Sequence, residues 1–248
     1  MNYIVGDVGN TTTRICLLND RFKITRSIIF ETERLFKKNY FKNLMQKFLK
    51  KKIYQKVLFS SVVPLGFSKI KIELKKVNYK AIEIKKLSLK KMIKINIKRI
   101  NQLGSDRIAN AIGGKVFKDC LIIDFGTATT FDIVKNGVYV GGVIAPGVKL
   151  SMMNLSKSTA LLPTFKLKKK QKNFGKNTKD ALNAGFIWGY EGLINNIINK
   201  IILKTNIKYK IILTGGYAKF FSKVIKKKSI VDQNITIRGI SKFYKLII

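Results

Sequence analysis

The sequence predicts an α/β protein made of two similar halves. The frame D-x-G-x-x-T-T occurs twice, at Asp7–Thr13 and at Asp124–Thr130, 117 positions apart. Each copy follows one short apolar run and precedes another, a pattern typical of two strands joined by a turn. Apolar residues elsewhere recur at helical spacing. We therefore expect two similar domains with mixed sheets flanked by helices, spanning residues 1–115 and 116–248.

The elements of the first half follow from its apolar patterns. Tyr3–Val5 and Thr13–Leu18 flank a Gly/Asn/Thr turn and predict a hairpin. Phe and Leu residues four apart predict an amphipathic helix over residues 35–53. Residues 56–63 predict a strand that stops at a proline. A hydroxyl can satisfy the free amides of a first helical turn, so Ser105 is the predicted N-cap of a helix that runs to residue 118.

The second half repeats the opening pattern. Leu121-Ile122-Ile123 predicts a strand, and Thr130–Val134 predicts its hairpin partner. An Asn-Gly turn then precedes a further strand over Val138–Ile144. Helical spacing predicts a helix over Phe186–Ile202, and Lys210–Leu213 predicts a buried strand that runs into a Gly-Gly pair.

The composition excludes several chemistries. The chain has 248 residues, no histidine and two cysteines, Cys16 and Cys120. A Ser-His-Asp triad and a His-ligated zinc site are therefore excluded. Two cysteines in separate apolar runs are too few for a disulfide scaffold and fit a reducing compartment. Without a signal-peptide pattern or an apolar run of ~20 residues, we expect a cytoplasmic protein with no membrane span.

The charge is strongly positive. Lys and Arg number 50 against 13 Asp and Glu, a formal net charge of +37. Only 7 of the 50 are Arg, and the lysines are spread along the whole chain, as at residues 50–52, 166–172 and 226–228. No zinc-finger, basic-zipper or RNA-recognition motif accompanies them. We therefore expect only nonspecific, salt-dependent binding to nucleic acid.

The repeated turn has the chemistry of a phosphate site. Its glycine lets a ligand approach the backbone, and successive amides with Asn or Thr side chains can donate to phosphate oxygens. The aspartate before the turn suits a Mg²⁺ that bridges phosphates. P-loop and G-x-G-x-x-G patterns are missing. The remaining ATP architecture is the duplicated, ribonuclease H-like fold of actin-like ATPases and sugar kinases, in which two hairpin turns clamp the phosphates.

An ordered set of motifs resembles the type III pantothenate kinase family, which phosphorylates pantothenate in the first step of coenzyme A biosynthesis. The matching segments are Asp7–Thr13, Ser60–Pro64, Gly104–Asn110, Asp124–Phe131, Gly141–Gly147, Thr159–Pro163, Gly175–Thr178 and Thr214–Gly216. The resemblance implies a homodimeric kinase that uses ATP, Mg²⁺ and a monovalent cation, K⁺ or NH₄⁺. A chain without histidine can carry out this reaction, because phosphoryl transfer needs mainly positioning, charge neutralisation and one carboxylate base.

The resemblance also implies roles for individual residues. Asp106 is the implied catalytic base. The implied substrate-binding residues are Gly104, Ser105, Asp106, Arg107 and Thr178, the last supplied across the dimer interface. The implied ATP-binding residues are Asp7, Val8, Gly9, Asn10, Thr11, Thr12, Thr13, Arg14, Thr127, Gly215 and Gly216. Asp124 is the implied ligand of the monovalent cation, and Asp7 the implied ligand of Mg²⁺ through the phosphates.

Two positions depart from the family pattern. Ser105 stands where the family commonly has Ala, and Ile97 stands where it often has a substrate-contacting Tyr. Two other functions stay open from the sequence. One is a regulatory, nucleic-acid-binding relative without kinase activity; the other is a kinase of the same fold for another small hydroxy acid.

Overall fold

A computed structural model of the protein describes residues 1–49, 52–168 and 173–248, which form two compact units. The first unit comprises Met1–Val116, Gly137–Val140 and Asn234–Ile248, and the second comprises Phe117–Asn136 and Gly141–Gln233. The last fifteen residues therefore belong to the first unit. The predicted domains, residues 1–115 and 116–248, stay a prediction.

Strands and helices alternate along the chain. The strands are β1 Tyr3–Val8, β2 Thr12–Leu18, β3 Ile24–Glu31, β4 Lys56–Ser61, β5 Lys80–Glu83, β6 Lys94–Ile95, β7 Cys120–Phe125, β8 Ala128–Lys135, β9 Val138–Pro146, β10 Lys210–Gly215 and β11 Ser229–Val231. The α-helices are α1 Tyr40–Gln46, α2 Pro64–Lys75, α3 Leu89–Met92, α4 Ser105–Gly114, α5 Val148–Lys157, α6 Thr178–Thr205, α7 Ala218–Phe221 and α8 Ile235–Lys242. Short 3₁₀ helices lie at Thr32–Phe36, Ile84–Lys86, Ile100–Gln102 and Phe243–Leu246.

The two units repeat one sheet topology. In the first unit the strand order is β3-β2-β1-β4-β5, with β1 antiparallel to β2 and parallel to β4. In the second unit the order is β9-β8-β7-β10-β11, with β7 antiparallel to β8 and parallel to β10. Strand β6 pairs with the first residues of β9 within the first unit. The duplicated, mixed-sheet α/β fold predicted from the repeated frame is therefore confirmed.

Each unit has its own apolar core. In the first unit Ile4, Val8, Phe59 and Ile70 join residues from β1, β4 and α2 in one buried cluster. In the second unit residues of β7, β8 and β10 pack against the inward face of α6. Both hairpins were predicted from alternating apolar and turn residues, and both are confirmed. No helix within the described residues is long and apolar enough to cross a bilayer.

Two helix predictions are wrong in extent. The predicted helix over residues 35–53 is a 3₁₀ turn followed by the short α1, because Asn39 adopts a left-handed conformation (φ 58°) that interrupts the chain between them. Residues 50 and 51 of that prediction lie outside the described residues. The predicted helix up to residue 118 ends at Gly114, after two consecutive glycines of low helix propensity.

Candidate active site

The predicted site residues form two groups, one in each unit, and the first group begins at the β1–β2 turn. Asp7 is half-buried near the end of β1. The N–H of Gly9 donates to the carbonyl of Thr12 (3.0 Å) and closes the turn. Thr32 donates from its hydroxyl to the Gly9 carbonyl (2.6 Å) and from its N–H to the Thr11 carbonyl (3.0 Å). These bonds occupy carbonyl oxygens that would otherwise repel a phosphate bound at the turn.

The side chains around this turn differ in what they can reach. Asn10, Thr11 and Thr12 are exposed, as ligand-binding residues should be. The Val8 side chain is fully buried in the core, and the buried hydroxyl of Thr13 pairs with that of Thr32 (3.0 Å). Contact with a nucleotide by Val8 or Thr13 would therefore involve the backbone, and both assignments stay predictions.

Arg14 lies opposite Asp7 in the β1–β2 register. Its guanidinium donates to the Ser27 hydroxyl from Nε (3.0 Å) and to the Asn234 side-chain oxygen from Nη2 (2.7 Å). The structure thus gives this side chain two protein partners inside the first unit. Its predicted contact with ATP stays a prediction.

The β7–β8 turn of the second unit is also closed by its glycine, over a shorter span of chain. The N–H of Gly126 donates to the carbonyl of Ala128, two residues on (3.1 Å), whereas Gly9 bonds to the residue three positions on. Asp124 and Thr127 are half-buried at this turn. A Cβ atom on Gly147, the residue before α5, would overlap the Thr127 carbonyl. The chain passes so close to the turn there that only glycine is accommodated.

Gly215 completes the second group. It ends β10 in the left-handed region (φ +83°), and a Cβ atom there would lie 2.5 Å from the Asp124 Oδ1 atom and 2.6 Å from the Phe125 carbonyl carbon. The N–H of the next residue, Gly216, donates to the Phe125 carbonyl (3.0 Å). The predicted cation ligand and the predicted nucleotide glycines are thus brought together by the parallel β7–β10 pair.

The predicted base lies at the start of α4 in the first unit. Oδ1 of Asp106 accepts the N–H of Arg107 (2.8 Å), so the carboxylate is held at the positive end of the helix. A Cβ atom on Gly104 would overlap this same Oδ1 atom. Gly104 therefore provides the space that the Asp106 carboxylate occupies. Three of the predicted site residues are therefore in contact at the start of α4, since Gly104 and Arg107 both lie against the Asp106 carboxylate.

The environment of Asp106 suits a general base. Burial raises the pKa of its carboxyl above the ordinary value, and the Arg107 N–H and charge, with the more distant Lys85 charge, oppose that rise. A carboxylate with a raised pKa accepts a proton more readily near neutral pH. Asp106 is half-buried, which leaves it accessible to a small substrate.

Ser105 is not the N-cap residue that the sequence predicted. Gly104 is the N-cap residue of α4, so the predicted N-cap at Ser105 is wrong by one position. The buried Ser105 hydroxyl accepts the Ser61 N–H (2.8 Å) and donates to the Ser61 carbonyl (2.9 Å). The Ser60 hydroxyl lies 3.2 Å away. Ser105 therefore ties the start of α4 to the end of β4, and its predicted substrate contact stays a prediction.

Sequence reasoning missed two ionisable residues beside this arrangement. The Glu83 side chain accepts the Lys85 N–H (2.9 Å), and the Lys85 ammonium donates to the Asn101 carbonyl (3.0 Å), three residues before Gly104. Burial raises the pKa of Glu83, and the Ser105 hydroxyl opposes that rise. These two residues lie in a lysine-rich stretch with no motif, so no local signal distinguishes them from surface charges.

Thr178 is the exposed first residue of α6. The Asn177 side chain caps this helix by accepting the Asp180 N–H (3.0 Å). A Cβ atom on Gly175 would overlap the Ala181 N–H nitrogen, so this glycine is required by close packing. The lysine-rich run that precedes it, residues 166–172, lies partly outside the described residues, which omit 169–172.

The described residues contain no cluster of acidic side chains large enough to enclose a metal ion. Residues 1–49, 52–168 and 173–248 contain no group of three or more His, Cys, Asp or Glu side chains that could enclose a metal ion. Asp7 and Asp124 each offer one carboxylate, a hard oxygen donor that Mg²⁺ and K⁺ accept. This donor set fits ions whose remaining ligands are phosphate oxygens and water.

The fold is the one shared by actin-like ATPases and sugar kinases. The family model for type III pantothenate kinase matches residues 3–200. A type III pantothenate kinase from Pelagibacter ubique (strain HTCC1062) is 47% identical over 248 aligned residues, 98% of this chain and 99% of the relative. The chain therefore belongs to the type III pantothenate kinase family.

Solved structures agree on the fold. A Campylobacter jejuni protein described as a Baf family transcriptional activator has a TM-score of 0.62 at 22% identity, covering 98% of both chains. The activator of 2-hydroxyisocaproyl-CoA dehydratase from Clostridium difficile, solved with bound ADPNP, has a TM-score of 0.59 at 12% identity and covers 100% of this chain and 98% of that one. At these identities the similarity extends to the fold alone.

Proposed function

We propose that the protein transfers the γ-phosphoryl group of ATP to the primary hydroxyl of pantothenate, the first step of coenzyme A biosynthesis. The observation that carries the proposal is the full-length match to a type III pantothenate kinase. The arrangement of Gly104, Asp106 and Arg107 supports it, because this reaction requires a carboxylate base beside a cation that can bind the substrate carboxylate.

In this proposal Asp106 accepts the hydroxyl proton as the hydroxyl oxygen bonds to the γ-phosphorus and the bond to the β–γ bridging oxygen breaks. The raised pKa of Asp106 favours that proton transfer. Arg107 pairs with the pantothenate carboxylate through its planar guanidinium. Gly104 keeps the base in place, since any side chain there would displace its Oδ1 atom.

The two repeated turns are the proposed nucleotide sites. The exposed residues Asn10–Thr12 donate to phosphate oxygens at the first turn, and Thr127 with Gly215 and Gly216 contacts the nucleotide at the second. Asp7 would hold Mg²⁺ through the phosphates, and Asp124 would hold K⁺ or NH₄⁺. These ions supply positive charge that offsets the charge on the transferred phosphoryl group.

A substrate panel tests the proposal. We expect ADP release that depends on pantothenate, and its loss in Asp106→Ala while ATP binding measured by calorimetry is retained. An analogue with an alcohol in place of the pantothenate carboxylate should have a higher KM than pantothenate in the wild type. In Arg107→Leu the KM values of the analogue and of pantothenate should be similar. Preference of the wild type for another hydroxy acid, with no pantothenate turnover, would contradict the proposed substrate.

We also propose a homodimer in which Thr178 of one protomer completes the pantothenate site of the other. The exposed face of α6 supports this proposal. Gly185, Gly189 and Gly192 have no atoms within 4 Å of a Cβ position, and Trp188 between them is exposed. The helix residues from Gly185 to Gly192 include no lysine, and Glu191 and Lys226 lie beside Trp188 at the edge of this face. Two chains of net charge +37 repel least where they present few lysines.

Mixing inactive variants tests the shared site. Asp106→Ala and Thr178→Val should each be impaired alone, and co-refolding them should restore activity, because a mixed dimer contains one intact site. Each variant co-refolded with itself is the control. Absence of restoration, although mixed dimers form, would place Thr178 in the site of its own protomer.

We also propose that the protein is cytoplasmic and that it binds nucleic acid only nonspecifically. Lysines spread over the chain should bind DNA with a steep salt dependence and no sequence preference. A salt titration with two unrelated duplexes measures this. Discrimination between the duplexes would favour the regulatory alternative.

A further inference from the structure

The C-terminal helix α8 packs directly on α4, the helix that carries Asp106. A Cβ atom on Gly239 of α8 would overlap the Ala109 carbonyl of α4, and one on Gly113 of α4 would overlap the Ile235 carbonyl. The two backbones are thus in contact without intervening side chains. Because the two helices are closely packed at this contact, α4 cannot shift unless α8 shifts with it.

A buried hydrogen bond fixes the register of the two helices. The Thr236 hydroxyl donates to the Asn110 side-chain oxygen over 2.6 Å, and Asn110 is only 1% exposed. Asn110 is four residues after Asp106 and therefore lies on the same face of α4. Two residues further along α4, the Lys242 ammonium donates to the Ile112 carbonyl (2.8 Å). Helix α8 therefore contacts α4 from Ala109 to Gly113, the half of the helix that follows Asp106.

The start of α8 is also joined to the first phosphate turn. Asn234, the residue before the helix, accepts a hydrogen bond from Arg14 (2.7 Å). Arg14 pairs across the β1–β2 hairpin with Asp7, at the base of the turn. Asn234 and Thr236 are two residues apart, so one short segment contacts both the hairpin and α4.

The far end of the C-terminal segment is anchored to the sheet. The Tyr244 hydroxyl donates to the Ile4 carbonyl of β1 (2.7 Å), and the same oxygen lies 3.0 Å from the Lys56 carbonyl of β4. Tyr244 is fully buried. The segment is therefore attached to β1 at its end and to the β1–β2 hairpin at its start.

We propose that α8 sets the position of Asp106 relative to the Asp7–Thr12 turn, with Thr236 and Asn234 as the positioning residues. The expected effect on the reaction rests on the proposed kinase function. In that function Asp106 is the base and the Asp7–Thr12 turn binds the phosphates. The matched region of the family model ends at residue 200, so this segment lies outside that region. Both residues act through others and touch no reacting atom.

Kinetics of matched variants test the proposal. Thr236→Val should lower kcat about tenfold, because a small displacement of a base costs rate more than binding. KM for ATP should stay within about twofold of the wild type, and KM for pantothenate should change less than kcat, since Asp106 is only one of several groups proposed to bind it. Thr236→Ser keeps the hydroxyl and should restore kcat. Thr205→Val, which removes a half-buried helical hydroxyl bonded to the Ile201 carbonyl (2.7 Å), is the control and should leave kcat unchanged.

Hydrogen exchange gives a readout that does not depend on activity. Thr236→Val should increase exchange of the amides of residues 105–110, and Thr205→Val should not. Asn234→Ala, whose side chain is exposed and should not be needed for folding, should increase exchange at residues 7–12. Equal kcat and equal exchange in the Thr236 and Thr205 variants would overturn the proposal. An inactive wild type would instead refute the kinase function, and the exchange result would still decide the positioning role.

Discussion

Replacing Gly104 by alanine isolates the placement of the base from the stability of the fold. The backbone at Gly104 (φ −59°, ψ 143°) is one that alanine adopts without strain. The new Cβ atom would overlap Oδ1 of Asp106, while the Val62 Cγ1 atom lies at an ordinary 3.6 Å. The substitution therefore acts mainly on the carboxylate, with a smaller effect at the N-cap position of α4.

The size of the effect follows from that overlap. Relief requires Oδ1 to move by roughly half an ångström or more, and misplacement of about 1 Å can cost 10²-fold in rate. We expect kcat to fall about 10- to 100-fold, equivalent to about 1.4–2.7 kcal/mol in the barrier. The free energy of unfolding should change by less than about 1 kcal/mol, because restriction of the unfolded chain by alanine is offset by its poorer preference for the N-cap position.

A double-mutant cycle provides the assay. Initial rates of pantothenate-dependent ADP release are measured for the wild type, Gly104→Ala, Asp106→Ala and the double variant. If Gly104→Ala acts through the base, it should have no further effect once Asp106 is replaced. Additive losses in the double variant, or a Gly104→Ala enzyme with unchanged kcat, would refute this reasoning.

Three further outcomes are expected. Lys85→Met should raise the pKa of Asp106 further, because it removes a cation that favours the charged carboxylate. The acid limb of the pH profile of kcat/KM should therefore move to higher pH. The control Lys86→Met, at an exposed lysine, should not move it. Gly215→Ala should cost about 1–2 kcal/mol from the left-handed backbone alone, with more from overlap, and should weaken ATP binding in calorimetry; unchanged affinity would contradict its placement. Tyr244→Phe should lower the free energy of unfolding by about 1–3 kcal/mol in urea titrations, because it leaves buried carbonyls without their donor, and an unaltered midpoint would exclude that role.

The fold was predictable from the sequence because its signals are local. The repeated D-x-G-x-x-T-T frame lies at hairpin turns, where residue type and turn geometry are tightly linked. The frame also gave the correct strand correspondence, since Asp7 and Asp124 are each the fifth residue of their strand. The 35–53 helix was less predictable, because a left-handed Asn39 outweighed a helical apolar pattern.

The sequence allows site residues to be proposed only where a motif carries them. Asp106 and Arg107 follow from the family motif, and their geometry is compatible with the implied roles. The hydroxyls of Ser105 and Thr13 have buried partners distant in sequence, Ser61 and Thr32, which no local pattern reveals. The same holds for the α4–α8 contact, which joins residues more than a hundred positions apart.

The proposed base for phosphoryl transfer to pantothenate is a single carboxylate, Asp106, at the start of α4. The most direct measurement is the rate of phosphopantothenate formation by Asp106→Asn, an uncharged variant of nearly the same size, with ATP affinity measured in parallel. We expect the rate to fall by about 10²-fold or more while ATP affinity stays within about twofold. Retention of the wild-type rate by Asp106→Asn would contradict the account.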